Sequence, residues 1–190
     1  MHTPRGRRPA VDLHDDLESV LLTREQIAGR VAELGQEISR DYAGCDLILA
    51  GVLKGSVIFL ADLMRAITIP HRYDLVRASS YGNSTVSSGH VKIWRNGHMS
   101  LDGCDVLIVE DILDTGQTIA AIGRELQRCG AQSVAVCVLL AKRRERLAAV
   151  EPRYVGFEIP DRFVVGYGLD YDDRYRQLDC VAILKPSVYG

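Results

Sequence analysis

The sequence lacks any uninterrupted apolar run near the roughly 20 residues that a membrane-crossing helix requires, so no membrane span is expected. It also lacks a charge excess, with 23 basic against 25 acidic residues and a formal net charge of -2. That balance gives no general attraction to nucleic acid or to an anionic membrane surface, and neither is expected as a partner. A cysteine framework is missing as well. The five cysteines, at 45, 104, 129, 137 and 180, are odd in number and none are spaced Cys-x-x-Cys. This argues against a disulfide scaffold and a zinc site, and it fits a reducing cytoplasmic compartment. No apolar segment follows Arg5, Arg7 and Arg8, so residues 1 to 10 read as a mobile basic tail and not as a signal peptide. Two common phosphate-binding signatures, Gly-x-x-x-x-Gly-Lys-Ser/Thr and Gly-x-Gly-x-x-Gly, are absent from the loop described next.

What is present is a chain of 190 residues with 47% hydrophobic content, enough for one domain with a proper core, expected over residues 11 to 190. It is organised around Val106 to Thr118, Val-Leu-Ile-Val-Glu-Asp-Ile-Leu-Asp-Thr-Gly-Gln-Thr. Four apolar residues run into Glu110 and Asp111, and Asp114, Thr115 and Gly116 turn the chain before a helical pattern at Ile119. Asp114, Thr115, Gly116 and Thr118 can gather backbone N–H groups and hydroxyls at a helix N-terminus, a ready phosphate site. Acids so close to an anion cradle call for a ligand that also offers hydroxyls or a bound cation, and a phosphorylated sugar meets both demands. For Asp114 alone the ordinary reading is a helix N-cap. An aspartyl-phosphate enzyme fits less well, because the acids at 111 and 114 belong to a turn and not to one strand face.

Thr23-Arg-Glu-Gln26 has the form of a capping box, and Ile27, Val31, Leu34 and Ile38 predict a helix over about 24 to 40. Gly44-Cys-Asp-Leu-Ile-Leu-Ala and Gly103-Cys-Asp-Val-Leu-Ile-Val are two similar strand starts, each leading through a loop to an amphipathic helix. Repeated strand-loop-helix units predict a parallel sheet whose loops 51 to 56 and 110 to 118 face one crevice beyond the strands' carboxyl ends. In the first loop Lys54 and Gly55 can meet a second anionic group, or simply begin a helix. Residues 71 to 79 read as a strand, Asn83 to His90 as a polar loop, and Val91 to Arg95 as a returning strand turned at Asn96-Gly97. Residues 133 to 140, 154 to 159, 163 to 168 and 181 to 184 read as further strands, with Lys142 at the end of one of them. On the residues alone, Lys142 beside Arg143, Arg144 and Arg146 is a solvated charge, Phe163 is core, and the acids at 170, 172 and 173 form a charged turn.

Val-Glu-Asp-Ile-Leu-Asp-Thr-Gly-Gln-Thr resembles the phosphoribosyl-diphosphate signature of the purine phosphoribosyltransferases, the hypoxanthine-guanine branch in particular. Gly-Phe-Glu-Ile-Pro-Asp-Arg-Phe-Val-Val-Gly-Tyr-Gly-Leu-Asp-Tyr, 156 to 171, and Leu-Lys-Gly at 53 to 55 extend the resemblance. It implies an α/β fold of the type I phosphoribosyltransferase kind. That fold has a central, mostly parallel sheet flanked by helices over about 40 to 150, a hood from the N-terminal segment and 151 to 190, and a flexible lid hairpin. The implied reaction is Mg²⁺-dependent, reversible transfer of 5-phosphoribosyl from phosphoribosyl diphosphate to N9 of hypoxanthine or guanine, giving IMP or GMP and pyrophosphate. A xanthine enzyme and a non-catalytic RNA-binding regulator of the same site are the alternatives.

The resemblance also implies roles. Asp114 exchanges a proton with purine N7. Lys54, Gly55, Ser80, Tyr81, Glu110, Asp111, Asp114, Thr115, Gly116, Gln117, Thr118 and Arg176 meet the phosphoribosyl diphosphate. Lys142 reads the 6-oxo group, Phe163 stacks on the base, and the Val164 backbone meets its 2-position edge. Asp170 lines the purine site and, with Glu110 and Asp111, holds Mg²⁺. Mg²⁺ is usually held by one or two carboxylates together with substrate oxygens, which suits a diphosphate ligand independently of the resemblance. Gln117 departs from members that carry Lys there. A cis Leu53–Lys54 peptide and assembly as a homodimer or homotetramer are further expectations of the family.

Overall fold

The strand Leu47–Val52 is buried at all six positions, which a strand achieves only when helices cover both faces of its sheet. Alternate residues go to opposite sides. Leu47 and Leu49 join one core with Leu107, Val109, Cys137 and Leu139, while Ile48, Ala50 and Val52 join the other with Val106, Ile108 and Val138. The computed structural model describes residues 15–80, 91–95, 100–144 and 147–190. The basic tail, Tyr81, the polar lid run from Asn83 to His90, the Asn96-Gly97 turn and Arg146 lie outside the described residues, as does the side chain of Ser80.

In chain order the elements are β1 (Leu17–Leu22), α1 (Arg24–Asp41), β2 (Leu47–Val52), α2 (Val57–Ala66), β3 (His71–Ser80), β4 (Val91–Arg95) and β5 (Asp105–Leu113). They continue as α3 (Gln117–Arg128), β6 (Ser133–Lys142), β7 (Tyr154–Ile159), β8 (Val164–Val165), β9 (Val181–Leu184) and α4 (Pro186–Tyr189). Six strands form one sheet in the order β4-β3-β2-β5-β6-β7, parallel except for the antiparallel β3–β4 pair. The hairpin base of the expected lid is that β3–β4 pair, with Ser80 opposite Val91. Helices α1 and α2 cover one face through Ile27, Val31, Leu34, Phe59 and Leu63, and α3 covers the other through Ile119, Ile122 and Leu126. The hood is a separate three-stranded antiparallel sheet, β1-β9-β8.

Local chemistry sets these boundaries. Thr23 accepts a hydrogen bond from the Gln26 backbone N–H at 3.3 Å, and the Gln26 side chain accepts one from the Thr23 N–H at 2.8 Å, so the capping box starts α1 where the sequence predicts. Strand β7 lies at the sheet's edge, and Arg30 on α1 donates to its Val155 and Gly156 carbonyls at 3.0 and 3.2 Å.

Three expectations change. The parallel sheet takes in β7, so the core sheet runs to Ile159 and the hood begins only after it. The strand expected over 163 to 168 shrinks to Val164–Val165, because Gly166, Tyr167 and Gly168 all have positive φ (97°, 49° and 102°) and turn the chain away. Helix α3 begins at Gln117, two residues earlier than the apolar pattern suggests, because left-handed Gly116 (φ 79°) is its N-cap.

Candidate active site

Glu110 and Asp111 end up inside β5 and not in the loop that follows it. Both residues are buried, each 8% exposed, at the carboxyl end of a central parallel strand. The Asp111 N–H donates to Glu110 Oε1 at 3.3 Å, and the Ile112 N–H donates to Asp111 Oδ1 at 3.0 Å. Desolvation, reinforced by the neighbouring Asp111 carboxyl, pushes the Glu110 carboxyl well above the ordinary carboxylate range. A buried acid raised in this way contributes stability that is full below the ordinary carboxylate value and is lost as pH rises through its folded value. Glu110→Gln is therefore expected to stabilise the fold at neutral pH by on the order of 1 kcal/mol, at the expense of activity. The gap should close below about pH 4, where the unfolded carboxyl also holds its proton. Thermal melts of both proteins at acidic and neutral pH measure this, and a lower melting point for the variant at pH 7 would contradict it.

From the end of β5 the chain crosses Asp114-Thr115-Gly116 into α3. The first backbone N–H groups of α3 have no partner within the helix, so they and the helix dipole face the same cleft. The Thr115 carbonyl accepts from the Leu147 and Ala148 N–H groups at 3.1 and 3.2 Å, which ties the loop after β6 to this turn. Asp114 does not cap α3, whose N-cap Gly116 has no side chain to offer; the ordinary reading of Asp114 is overturned. Its carboxylate instead accepts from Arg144 at 2.8 Å and lies 3.5 Å from the Lys142 ammonium. Both cations also face Asp161, with Lys142 at 3.2 Å and Arg144 at 3.6 Å. Lys142 is therefore no solvated charge: its side chain is 14% exposed and sits between two carboxylates.

The Leu53–Lys54 peptide is cis, as the family pattern implies. Gly55 presses against β5: a Cβ at this position would lie 1.7 Å from Asp111 Oδ2 and 2.6 Å from Asp111 Cγ, so only glycine fits without displacement. A cleft of ≈ 240 Å³ is lined by Leu53, Gly55, Glu110, Asp111, Asp114 and Gly116, among others. Lys54 reaches out of the cleft to Asp173 at 3.2 Å, and Arg176 meets the same Asp173 oxygen at 3.1 Å, Asp170 at 2.8 Å and the Gly168 carbonyl at 2.7 Å. Arg176, and then Lys54, hold the Asp173 carboxyl below its ordinary range. Asp173 thus bridges the two cations that the family pattern assigns to pyrophosphate.

Phe163 is half-buried, stacked on Tyr189 (centroids 4.8 Å apart, planes at 23°) and edge-on to Tyr171 at 5.6 Å. Val164, beside it, is buried in β8. Among the described residues no three His, Cys, Asp or Glu side chains converge on one point. Glu110, Asp111 and Asp170 are therefore hard oxygen donors without a preassembled cage, and any Mg²⁺ they hold must complete its shell from substrate oxygens and water.

Sequence reasoning misses Arg144, Asp161 and Asp173. One signal was available for Asp161: Ile159-Pro160-Asp161 closes a parallel strand on the same side as Lys142, where ligands lie in sheets of this type. A larger groove of ≈ 640 Å³ between α1, α2 and the hood, lined by Ile27, Val31, Ile58 and Tyr167, holds none of these residues.

Comparison with known proteins agrees with this geometry. The phosphoribosyl transferase domain family matches residues 19–172. The hypoxanthine-guanine phosphoribosyltransferase of Mycobacterium tuberculosis (strain ATCC 25618 / H37Rv) is 50% identical over 180 residues, covering 92% of this chain and 89% of its own. That of Bacillus subtilis (strain 168) is 45% identical over 174 residues, covering 92% and 97%. A crystal structure of a hypoxanthine phosphoribosyltransferase from Staphylococcus aureus matches with a TM-score of 0.89 at 43% identity, covering 96% of this chain and 100% of that one. The match over residues 19–172, together with relatives 45 to 50% identical along nearly their whole length, shows that the chain belongs to the hypoxanthine-guanine phosphoribosyltransferase family.

Proposed function

We propose that the cleft transfers 5-phosphoribosyl from phosphoribosyl diphosphate to N9 of hypoxanthine or guanine, reversibly, yielding IMP or GMP and pyrophosphate. The observation that carries this reading is that Asp114 shares one cleft with the turn into α3 and touches Lys142, so a proton acceptor, a phosphate cradle and a 6-oxo reader adjoin. The N–H groups and hydroxyls of Thr115 to Thr118 hold the 5-phosphate, Glu110 and Asp111 face the ribose hydroxyls, and Lys54, Gly55 and Arg176 take the diphosphate. The base stacks on the Phe163 face opposite Tyr189 and meets the Val164 backbone with its 2-position edge. As the N9–C1′ bond forms, the C1′–O bond to diphosphate breaks and pyrophosphate leaves with its electron pair. The purine N7 proton passes to the Asp114 carboxylate. Mg²⁺, held by Asp170 with Glu110 and Asp111, supplies positive charge to the leaving diphosphate when bound. Ser80 and Tyr81 close the lid over the reacting centre, which keeps water from an oxocarbenium-like sugar. Assembly as a homodimer or homotetramer is carried over from the family pattern, and a cytoplasmic location from the cysteine usage.

Pyrophosphate release on mixing protein, Mg²⁺, phosphoribosyl diphosphate and single bases tests the reading: hypoxanthine and guanine should react, adenine should not, and no turnover with any base would overturn it. Lys142 carries the discrimination, because an ammonium has donors only and meets only donors at a 6-amino group. Lys142→Ala is expected to lower kcat/KM with hypoxanthine by about ten- to hundredfold while narrowing its lead over adenine. If steady-state kinetics leave that lead unchanged, a different group reads the 6-position.

A further inference from the structure

The Lys142 and Arg144 cations share two carboxylates, Asp114 and Asp161, only one of which has a part in the reaction just described. The arrangement is a square. Asp114 is tightest to Arg144 at 2.8 Å and loosest to Lys142 at 3.5 Å, whereas Asp161 is closer to Lys142, at 3.2 Å, than to Arg144, at 3.6 Å. When a purine enters, Asp114 must turn to N7 and Lys142 must turn to the 6-oxo oxygen. With Asp114 as its only anion, the mostly buried Lys142 would be drawn onto the carboxylate that has to accept a proton, and it would lose its counter-charge once that carboxylate became neutral.

Resting on the proposed roles of Lys142 and Asp114, we infer that Asp161 is a positioning and specificity-determining residue. It is the counter-charge that holds Lys142 aimed at the base and takes over Lys142 and Arg144 as Asp114 engages the purine. The placement suits this role. Asp161 directly follows Pro160 at the end of β7, and Lys142 ends the neighbouring β6, its partner in the ladder being Ile159. The Arg143 N–H, bonded to the Ile159 carbonyl at 2.9 Å, fixes the two strand ends side by side. Asp161 therefore stands just two residues beyond a strand end that the sheet holds in place, while Asp114 stands on the turn that must meet substrate.

The test compares Asp161→Asn, Asp161→Glu, Lys142→Ala and the double variant Lys142→Ala/Asp161→Asn in steady-state assays with hypoxanthine, adenine and phosphoribosyl diphosphate. Asp161→Asn should raise the KM for hypoxanthine about tenfold and narrow its lead over adenine, while the KM for phosphoribosyl diphosphate changes less than about twofold. Asp161→Glu, which keeps the charge, should recover part of the loss. The double variant should be no worse than Lys142→Ala alone, since Asp161 acts through that ammonium. An unchanged hypoxanthine KM in Asp161→Asn, or losses that add fully in the double variant, would overturn the inference while leaving Lys142 as the reader. Unaltered base preference in Lys142→Ala would instead remove the reading on which the inference rests.

Discussion

Asp114→Asn is expected to lower kcat with hypoxanthine by about 10²- to 10⁴-fold, the usual contribution of a general acid/base group, while the KM for phosphoribosyl diphosphate stays within about threefold. The amide keeps an acceptor oxygen for Arg144, which now donates to Asp114 Oδ1 at 2.8 Å, so the turn between β5 and α3 should hold its shape. In the proposed mechanism the 5-phosphate is held by backbone groups and hydroxyls from Thr115 to Thr118, which do not need the carboxylate. What the amide loses is the capacity to take the N7 proton as the N9–C1′ bond forms. Single-turnover measurements that isolate the chemical step make the comparison cleanest. A variant with near-normal kcat would move the proton-transfer role to another group.

Gly55→Ala should be nearly as damaging, for a purely steric reason. The added methyl carbon would lie 1.7 Å from Asp111 Oδ2, far inside van der Waals contact, and Asp111 is a buried carboxylate already accepting from the Ile112 N–H. Retreat is blocked on the other side. A Cβ built on Gly168 would stand only 2.0 Å from the Gly55 carbonyl oxygen, so the two backbones already touch there. Either Asp111 swings away or the Lys54-Gly55 loop is displaced. A shift of about 1 Å at a substrate-positioning group can lower turnover about 10²-fold, and kcat/KM for phosphoribosyl diphosphate should fall by at least that much. A near-normal value would show that the Lys54-Gly55 loop stands apart from the reacting centre.

The parts of the fold that the sequence makes legible are those where local pattern and tertiary environment agree. The repeated Gly-Cys-Asp strand starts announce parallel β2 and β5, and the capping box announces α1. The run from Glu110 to Thr118 announces a strand, a turn and a helix start with acids beside them, because all of these are contiguous there. Less legible was the shape of the acid pair. The sequence leaves Glu110 at the strand's mouth, whereas β5 continues to Leu113 because Ile112 and Leu113 pair with Leu140 and Ala141 on β6. Phe163 to Gly168 looks like a strand by composition and is broken by backbone conformation at its second half. The charged square is a matter of distance along the chain: Asp114, Lys142 and Asp161 come together only because β5, β6 and β7 are neighbours in register. In sequence Lys142 simply heads a run of arginines, and no periodicity says that one of them, Arg144, folds back onto Asp114.

Arg30 does more for the chain than link a helix to a strand. The last strand of an open sheet offers unpaired carbonyls and amides to any extended peptide that approaches, and proteins that leave such a border bare risk growing into stacked aggregates. Here the guanidinium of Arg30 donates to two consecutive carbonyls of β7, of which that of Gly156 lies on the open border, while Glu33 and Glu37, each 2.9 Å from its Nη1, keep it seated there. A foreign strand would have to displace a charged group held by four partners before it could pair with Gly156. The border beside the charged square is thus partly occupied by a side chain from α1, so the site can remain open to small substrates while the neighbouring edge offers less of a template for added strands.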